Sequence, residues 1–317
     1  MARVRPALPI LPSNAAGYPK QGTSVNRQFN LKLSERSLEA PHMLDLQNLI
    51  IDHFVSTLRS EHSKTYVLYE EEYGNIISWA GRLALENIAN SDMLYHNVEH
   101  TIMVTTAGLQ ILRGKHLSEG HVTAKDWLHY VVALVCHDIG YVYGICNDDT
   151  DTHFTTGRAE GVLEIQRGGT CAALTPYHVD RGKRFIHERF GDHPLINADV
   201  VASYIEMTRF PPPAGEFYSD TKSYGGLVRA ADLIGQMGDP NYLRKLPGLF
   251  YEFEETGANK KIGYTCPDDM RVNYAKFYWG VIRKYVDDGI QYLRVTQEGK
   301  QWVANLYGNI FLVEHEV

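Results

Sequence analysis

Three short stretches of this chain gather residue types that could do chemistry. Tyr95-His96-Asn97-Val98-Glu99-His100 sets two imidazoles four residues apart, so on a helix they share one face. Cys136-His137-Asp138-Ile139-Gly140 closes an apolar run from Tyr130 to Cys136. Where a helix ends the chain turns, and an adjacent His and Asp can both reach one cation. Ala230-Ala231-Asp232-Leu233 puts a carboxylate among small and apolar residues, where burial is costly unless the group is paired or holds a metal. An imidazole of the first stretch together with His137, Asp138 and Asp232 makes a mixed nitrogen and oxygen set. Such a set suits zinc, manganese, iron or, with waters, magnesium. Open coordination positions would hold water, and the ion would bring the pKa of that water towards neutrality. Among 14 histidines an i,i+4 pair alone carries little, as does an isolated His-Asp dipeptide. Three such features in order, each in a helical pattern, carry far more.

Helices must supply the positioning. Apolar residues recur at helical spacing from Met43 to Leu58, through Leu46, Leu49, Ile50, Phe54 and Leu58. The same periodicity predicts helices over Ile76 to Ile88, Asn97 to Leu112, Ala124 to His137, Arg181 to Arg189, Asn197 to Met207, Lys222 to Gln236, Asn241 to Glu255, Asp268 to Leu293 and Gln297 to Leu312. Strand signals are scarce and no internal repeat is present. Pro211, Pro212 and Pro213 make Thr208 to Ser219 a loop. The fold class expected is all-α. Residues 1 to 41, rich in Pro, Gly, Ser and Asn without a sustained period, read as a flexible N-terminal tail before one domain over 42 to 317.

The order His, His-Asp, Asp resembles the HD-domain metal-dependent phosphohydrolases. Tyr95-His96-Asn97-x-x-His100 is similar to the Y-H-N-x-x-H signature of class I cyclic-nucleotide phosphodiesterases. The resemblance covers Tyr95 to Asp232. It implies a phosphodiesterase-like helical bundle in which His100, His137, Asp138 and Asp232 bind metal, Asp138 also serving catalysis. It implies that His96 protonates the leaving oxygen. The family's next signature is H-D-x-x-H-x-G-x-x-N. Tyr141 stands here in place of its second His, and Gly144-x-x-Asn147 falls one position late. The stretches Ala231 to Gln236 and Leu249 to Phe253 look more like bacterial HD-domain hydrolases than like the eukaryotic phosphodiesterase pocket.

One ion is expected, and the candidates for a second ion or for substrate are His178, Glu206, Gln236 and Asn147. His178-x-x-x-Gly182 is similar to a stretch of dinuclear HD proteins such as the HD-GYP phosphodiesterases, which supply a further His about one helix later. Glu206 stands near that place and is itself a hard-cation ligand. Gln236 lies one turn after Asp232, on the same helix face. Arg209, Lys183, Arg184 and Arg229 are candidates for phosphate contacts, against the plain reading of surface cations. Asp148, Asp149 and Asp151, before His153, read as a solvated charged loop. Glu99 reads as solvent-facing or as a partner of a ligand imidazole.

Composition narrows the function further. The net charge of −7 argues against a nucleic-acid binder, which carries a basic footprint. A small phosphorylated partner, a nucleotide above all, remains compatible because a bound cation dominates its surroundings. The four cysteines form no C-x-x-C pair and fit a reducing compartment. No apolar run is long enough to span a membrane. A cytoplasmic location is expected, with an organellar one as the alternative, because basic residues precede the first acidic residue, Glu35. A homodimer is compatible with all of this. There is no phosphate loop of the G-x-x-x-x-G-K type, no G-x-S-x-G elbow and no H-E-x-x-H. The function expected is hydrolysis of a nucleotide phosphodiester. The rivals are a nucleoside monophosphate phosphohydrolase, a di-iron oxygenase of HD fold, and a non-catalytic ligand-binding protein of that fold.

Overall fold

Most of the predicted apolar stripes acquire a helix, and several of these have a capped start. In a computed structural model, which describes residues 45–66, 71–159, 161–166 and 168–315, the chain is all-α apart from one small hairpin. Helices α1 (Leu46–Thr65), α2 (Glu71–Ile88), α3 (Val98–Glu119) and α4 (Ala124–Cys136) come first. Strands β1 (His153–Thr155) and β2 (Val162–Glu164) follow, then α5 (His178–Phe190), α6 (Ala198–Glu206), α7 (Glu216–Ser219), α8 (Tyr224–Met237) and α9 (Tyr242–Thr256). The short helices α10 (Ala258–Ile262), α11 (Pro267–Val272) and α12 (Tyr274–Phe277) lead to α13 (Arg283–Leu293) and α14 (Gln297–His315). The expected tail, and the start of the first stripe at Met43, lie outside the described residues.

The caps explain the starts. Asn97 begins α3: its side chain accepts from the Glu99 and His100 N–H groups, at 3.0 and 3.3 Å. Thr123 and Asp126 form a reciprocal capping box at the start of α4. Ser223 caps α8. Gly120, at φ 70°, ends α3 in the left-handed conformation that a non-glycine residue adopts only with strain.

Helix α4 is buried along its whole length from Trp127 to Cys136, and α3 and α8 lie against it. Small residues let α3 and α8 approach closely. A Cβ on Gly235 would sit 2.5 Å from the Val104 Cα. A Cβ on Gly108 would meet Leu134 at 2.4 Å and Ala231 at 3.1 Å. Val104 lies one turn after His100, and Gly235 lies three residues after Asp232. The glycine contact therefore brings those two side chains face to face.

The structure departs from the sequence reading in four places. Asp268 to Leu293 is broken rather than continuous: α11 ends at Asn273, at φ −88° and ψ 0°, whose side chain donates to the Asp269 carbonyl at 2.8 Å alongside its own N–H at 3.2 Å. A wider π turn, Tyr278–Ile282, then leads into α13. The hairpin pairs Phe154 with Leu163 antiparallel; three-residue strands are too short to show a period. Helix α5 begins at His178, three residues before the predicted start. The proline loop contains the short turn α7. Among the described residues no helix is long and apolar enough to cross a membrane.

Candidate metal centre

His100 projects from the first turn of α3, where the Asn97 cap fixes the helix entry. His137 is the last residue with helical backbone after α4, at φ −59° and ψ −35°. Asp138, at φ −102° and ψ 4°, opens the tight turn Ile139–Tyr141. That change of direction lets two consecutive side chains point to one place. The His137 Nδ1–H donates to the Leu134 carbonyl at 2.8 Å, which leaves Nε2 as the nitrogen that faces the carboxylates. Asp232 enters from α8.

Four ligand atoms converge. His137 Nε2 lies 3.0 Å from Asp138 Oδ2 and 3.7 Å from Asp232 Oδ1. His100 Nε2 lies 3.3 and 3.6 Å from the same two oxygens. His100, His137 and Asp138 are buried. His100 Nε2, His137 Nε2 and Asp138 Oδ2 have no hydrogen-bond partner. Orphaned polar atoms in a core are expensive, and three of them aimed at one point suit a cation. His100, His137 and Asp232 could together hold a metal ion, with Asp138 against both imidazoles. Burial alone would lower the His137 pKa, but Asp138 and Asp232 raise it to about 9. Burial opposes ionisation of Asp138, yet the neighbouring imidazoles hold its pKa well below the ordinary carboxylate value. The centre thus favours positive charge at the point its carboxylates surround. The Asp232 and His96 side chains are 19% and 15% exposed, so solvent reaches the centre from their side.

His96 shares this neighbourhood: its imidazole, His100 and Asp138 form a second group of converging ligand atoms. Its Nδ1 lies 2.6 Å from Glu252 Oε2. Glu252 is buried on α9, and its Oε1 accepts from the Tyr95 N–H at 2.6 Å and the His96 N–H at 3.2 Å. Burial would lower the His96 pKa, and the Glu252 carboxylate outweighs this and raises it. Sequence reasoning missed Glu252. The available signal was a carboxylate inside the largely apolar stretch Leu249-Phe250-Tyr251-Glu252-Phe253, three residues from Leu249.

The remaining candidates separate. His178 opens α5, and its Nδ1–H donates to the Thr175 carbonyl at 2.6 Å. Burial lowers its pKa. Tyr141 is buried between two imidazoles, with its ring centroid 4.3 Å from His178 and 5.0 Å from His96. His178 therefore lies near the centre without joining either ligand group. Gln236 is half-buried and its amide donates to the Tyr242 hydroxyl at 2.7 Å.

Glu206 and Asn147 are corrected. The Glu206 carboxylate is taken by Lys183, by Arg209 Nε at 2.6 Å and by the Tyr218 hydroxyl at 2.8 Å, so it is not a ligand. Asn147 is exposed, and its backbone N–H donates to Glu188 at 2.9 Å. The cations weighed as candidates for phosphate contacts have other partners. Lys183 and Arg209 bind Asp180 and Glu206. Arg184 binds Glu188 and Asp148. Arg229 is buried, donating to the Tyr218 carbonyl at 2.8 Å with its guanidinium 4.4 Å from the Tyr285 ring centre. Glu99, largely exposed, pairs with Lys245 at 2.7 Å.

A search among curated proteins finds no match. Residues 44–316 match the family model described as Npun_R2479-like, which spans nearly the whole described chain, and the protein belongs to that family.

Proposed function

We propose that this protein is a metal-dependent phosphohydrolase of the HD type, acting on a phosphodiester of a nucleotide. The observation that carries the reading is the convergence of four ligand atoms, three of them buried and without a partner, beside an imidazole backed by a buried carboxylate. His100, His137, Asp138 and Asp232 would hold one divalent ion. Two imidazoles and two carboxylates fit manganese, iron or zinc, and magnesium if waters complete the shell. An ion there would supply Lewis acidity towards a phosphoryl oxygen and a water acidic enough to act near neutral pH.

The chain's own residues do the rest. Glu252 holds His96 through Nδ1, so in the imidazolium form Nε2 is the nitrogen free to offer a proton to the leaving oxygen. The raised pKa of His96 favours that protonated form. Tyr141 and His178 pack beside His96 and limit the space open to substrate and water. Gln236, held by Tyr242, lies one turn from Asp232 and is the amide best placed to meet a nucleotide.

Charge separates the diester from the monoester. Lys183, Arg184, Arg209 and Lys245 are each bound to carboxylates, and Arg229 is buried. A phosphomonoester dianion would need such a cation more than a diester monoanion does, since two carboxylates already offset the charge of a divalent ion here.

The test is turnover of cyclic nucleotides, nucleoside monophosphates and an aryl phosphodiester by protein loaded separately with manganese, iron and zinc, with Asp138→Ala as control. Diester hydrolysis by the parent and not by the control is expected. Preference for the monophosphates would refute the diester assignment. A metal-loaded parent that hydrolyses nothing would refute the hydrolase reading, and oxygen consumption by the iron form would replace it.

A further inference from the structure

The turn that carries Asp138 is gripped from behind by one buried cation. Arg181 lies on α5, three residues after His178, and is fully buried. All five of its N–H groups are used. Nε–H donates to the Gly140 carbonyl at 2.7 Å. Nη1 donates to the Thr155 carbonyl at 2.6 Å and to Asp149 Oδ1 at 3.0 Å. Nη2 donates to the Val142 carbonyl at 2.9 Å and to Asp149 Oδ2 at 2.8 Å. Asp149, expected in a solvated loop, is instead buried side by side with this guanidinium. It also accepts from the Thr155 N–H at 2.9 Å and the Cys146 N–H at 3.3 Å.

What this pair holds is specific. Gly140 and Val142 flank Tyr141, whose ring stacks on His178 and His96. Gly140 is two residues from Asp138. The turn rests directly on α5, since a Cβ on Gly140 would lie 1.9 Å from the His178 carbonyl oxygen. One helix thus fixes the turn twice, by the ring of His178 and by the guanidinium of Arg181. A buried ion pair is rarely better for stability than apolar residues of similar volume, but carbonyls held by a rigid planar fork keep one direction.

We propose that Arg181 and Asp149 are positioning residues for the metal centre, setting the direction of the Asp138 turn so that its carboxylate meets His100 and His137. This rests on the metal-centre reading above. It predicts that loosening the pair changes how an ion is held, beyond any loss of stability.

The experiment uses the full chain and cobalt(II) as probe, reading affinity by titration, coordination by the visible absorption bands, and the melting temperature of metal-free protein by circular dichroism. The variants are Asp149→Asn and Arg181→Lys. The control is Leu58→Ala, a core truncation in α1 against Gly81 of α2. Both variants should bind cobalt about tenfold or more weakly with shifted bands, while Leu58→Ala melts earlier and keeps the parent's affinity and spectrum. Parental affinity and spectrum in the variants would overturn the positioning role. So would equal weakening in Leu58→Ala, which would reduce the effect to global stability. Should Arg181→Lys not fold, Asp149→Asn decides alone. A parent that takes up no cobalt would sink the metal-centre reading itself, which is a different result from a parent that binds and variants that match it.

Discussion

Two polar clusters in this protein use the same kinds of residue and reach opposite outcomes. On the α5 and α6 side, Asp180, Lys183, Glu206 and Arg209 are closed on one another, each carboxylate facing cations at hydrogen-bond distance. Between α3, α4 and α8, His100, His137 and Asp138 are more deeply buried, yet the atoms they bring together have no hydrogen-bond partner. A closed network stabilises and has no capacity left for a ligand. An open one is tolerated only where something positive completes it. The difference lies in which partner each carboxylate meets: Asp138 stands in a group that could hold a metal ion, and Glu206 is closed in ion pairs.

The largest effect that could break this comparison is at Asp138. In Asp138→Ala, bound metal and phosphodiester turnover should both fall to the level of a protein-free blank, measured by elemental analysis and product release. Retained metal would mean that the convergence of ligand atoms is incidental.

Next comes His96→Ala, which should keep its metal and lose about 10²- to 10⁴-fold in turnover. If the metal content drops instead, His96 is a ligand, as its proximity to His100 and Asp138 would also permit. Glu252→Gln should cost less, about 10- to 100-fold, with a change in the pH profile. Glu252 raises the His96 pKa, and the acid form is the one required. The alkaline limb of the rate profile reports its loss and should therefore move to lower pH in the variant. An unmoved limb would detach Glu252 from the chemistry.

Metal uptake sharpens the comparison from the proton side. With the His137 pKa raised to about 9, an ion binding at neutral pH must displace a proton. Affinity should weaken as pH falls, and calorimetry in buffers of different ionisation enthalpy should show proton release. Uptake without proton release would contradict the arrangement of His137 between two carboxylates.

The smallest effect is expected at Glu206→Gln, with metal content unchanged and a stability loss of about 1–2 kcal/mol. The Glu206 pKa is lowered to about 2, burial opposing and Arg209 and Lys183 prevailing. A depressed carboxylate stabilises the fold above its unfolded pKa, and that contribution fades as pH falls from its ordinary value of 4.5 towards about 2. The parent should lose this increment in acid and the variant should have none to lose. Loss of metal in Glu206→Gln would join the two clusters.

Local signals in the sequence determined most of the scaffold. The helical stripes of α1 to α6, α8, α9 and α14 were legible because apolar spacing and caps such as Asn97 and Thr123 act within a few residues. The three motifs that meet at the centre were legible for the same reason, since a helix face and a helix end are local geometry. The hairpin was not, because three-residue strands carry no period, and neither was the break at Asn273, which lies inside an apolar spacing that reads as one continuous helix. Partner choice was decided only by tertiary structure. Glu252 reaches His96 across 156 residues of chain, Arg181 meets Asp149 across 32, and Glu206 is claimed by Lys183 and Arg209. A carboxylate has the same side chain in all these places. Whether it binds a metal, orients an imidazole or closes an ion pair depends on which atoms the packed helices bring within about 3 Å of it, and residue type and spacing do not encode that.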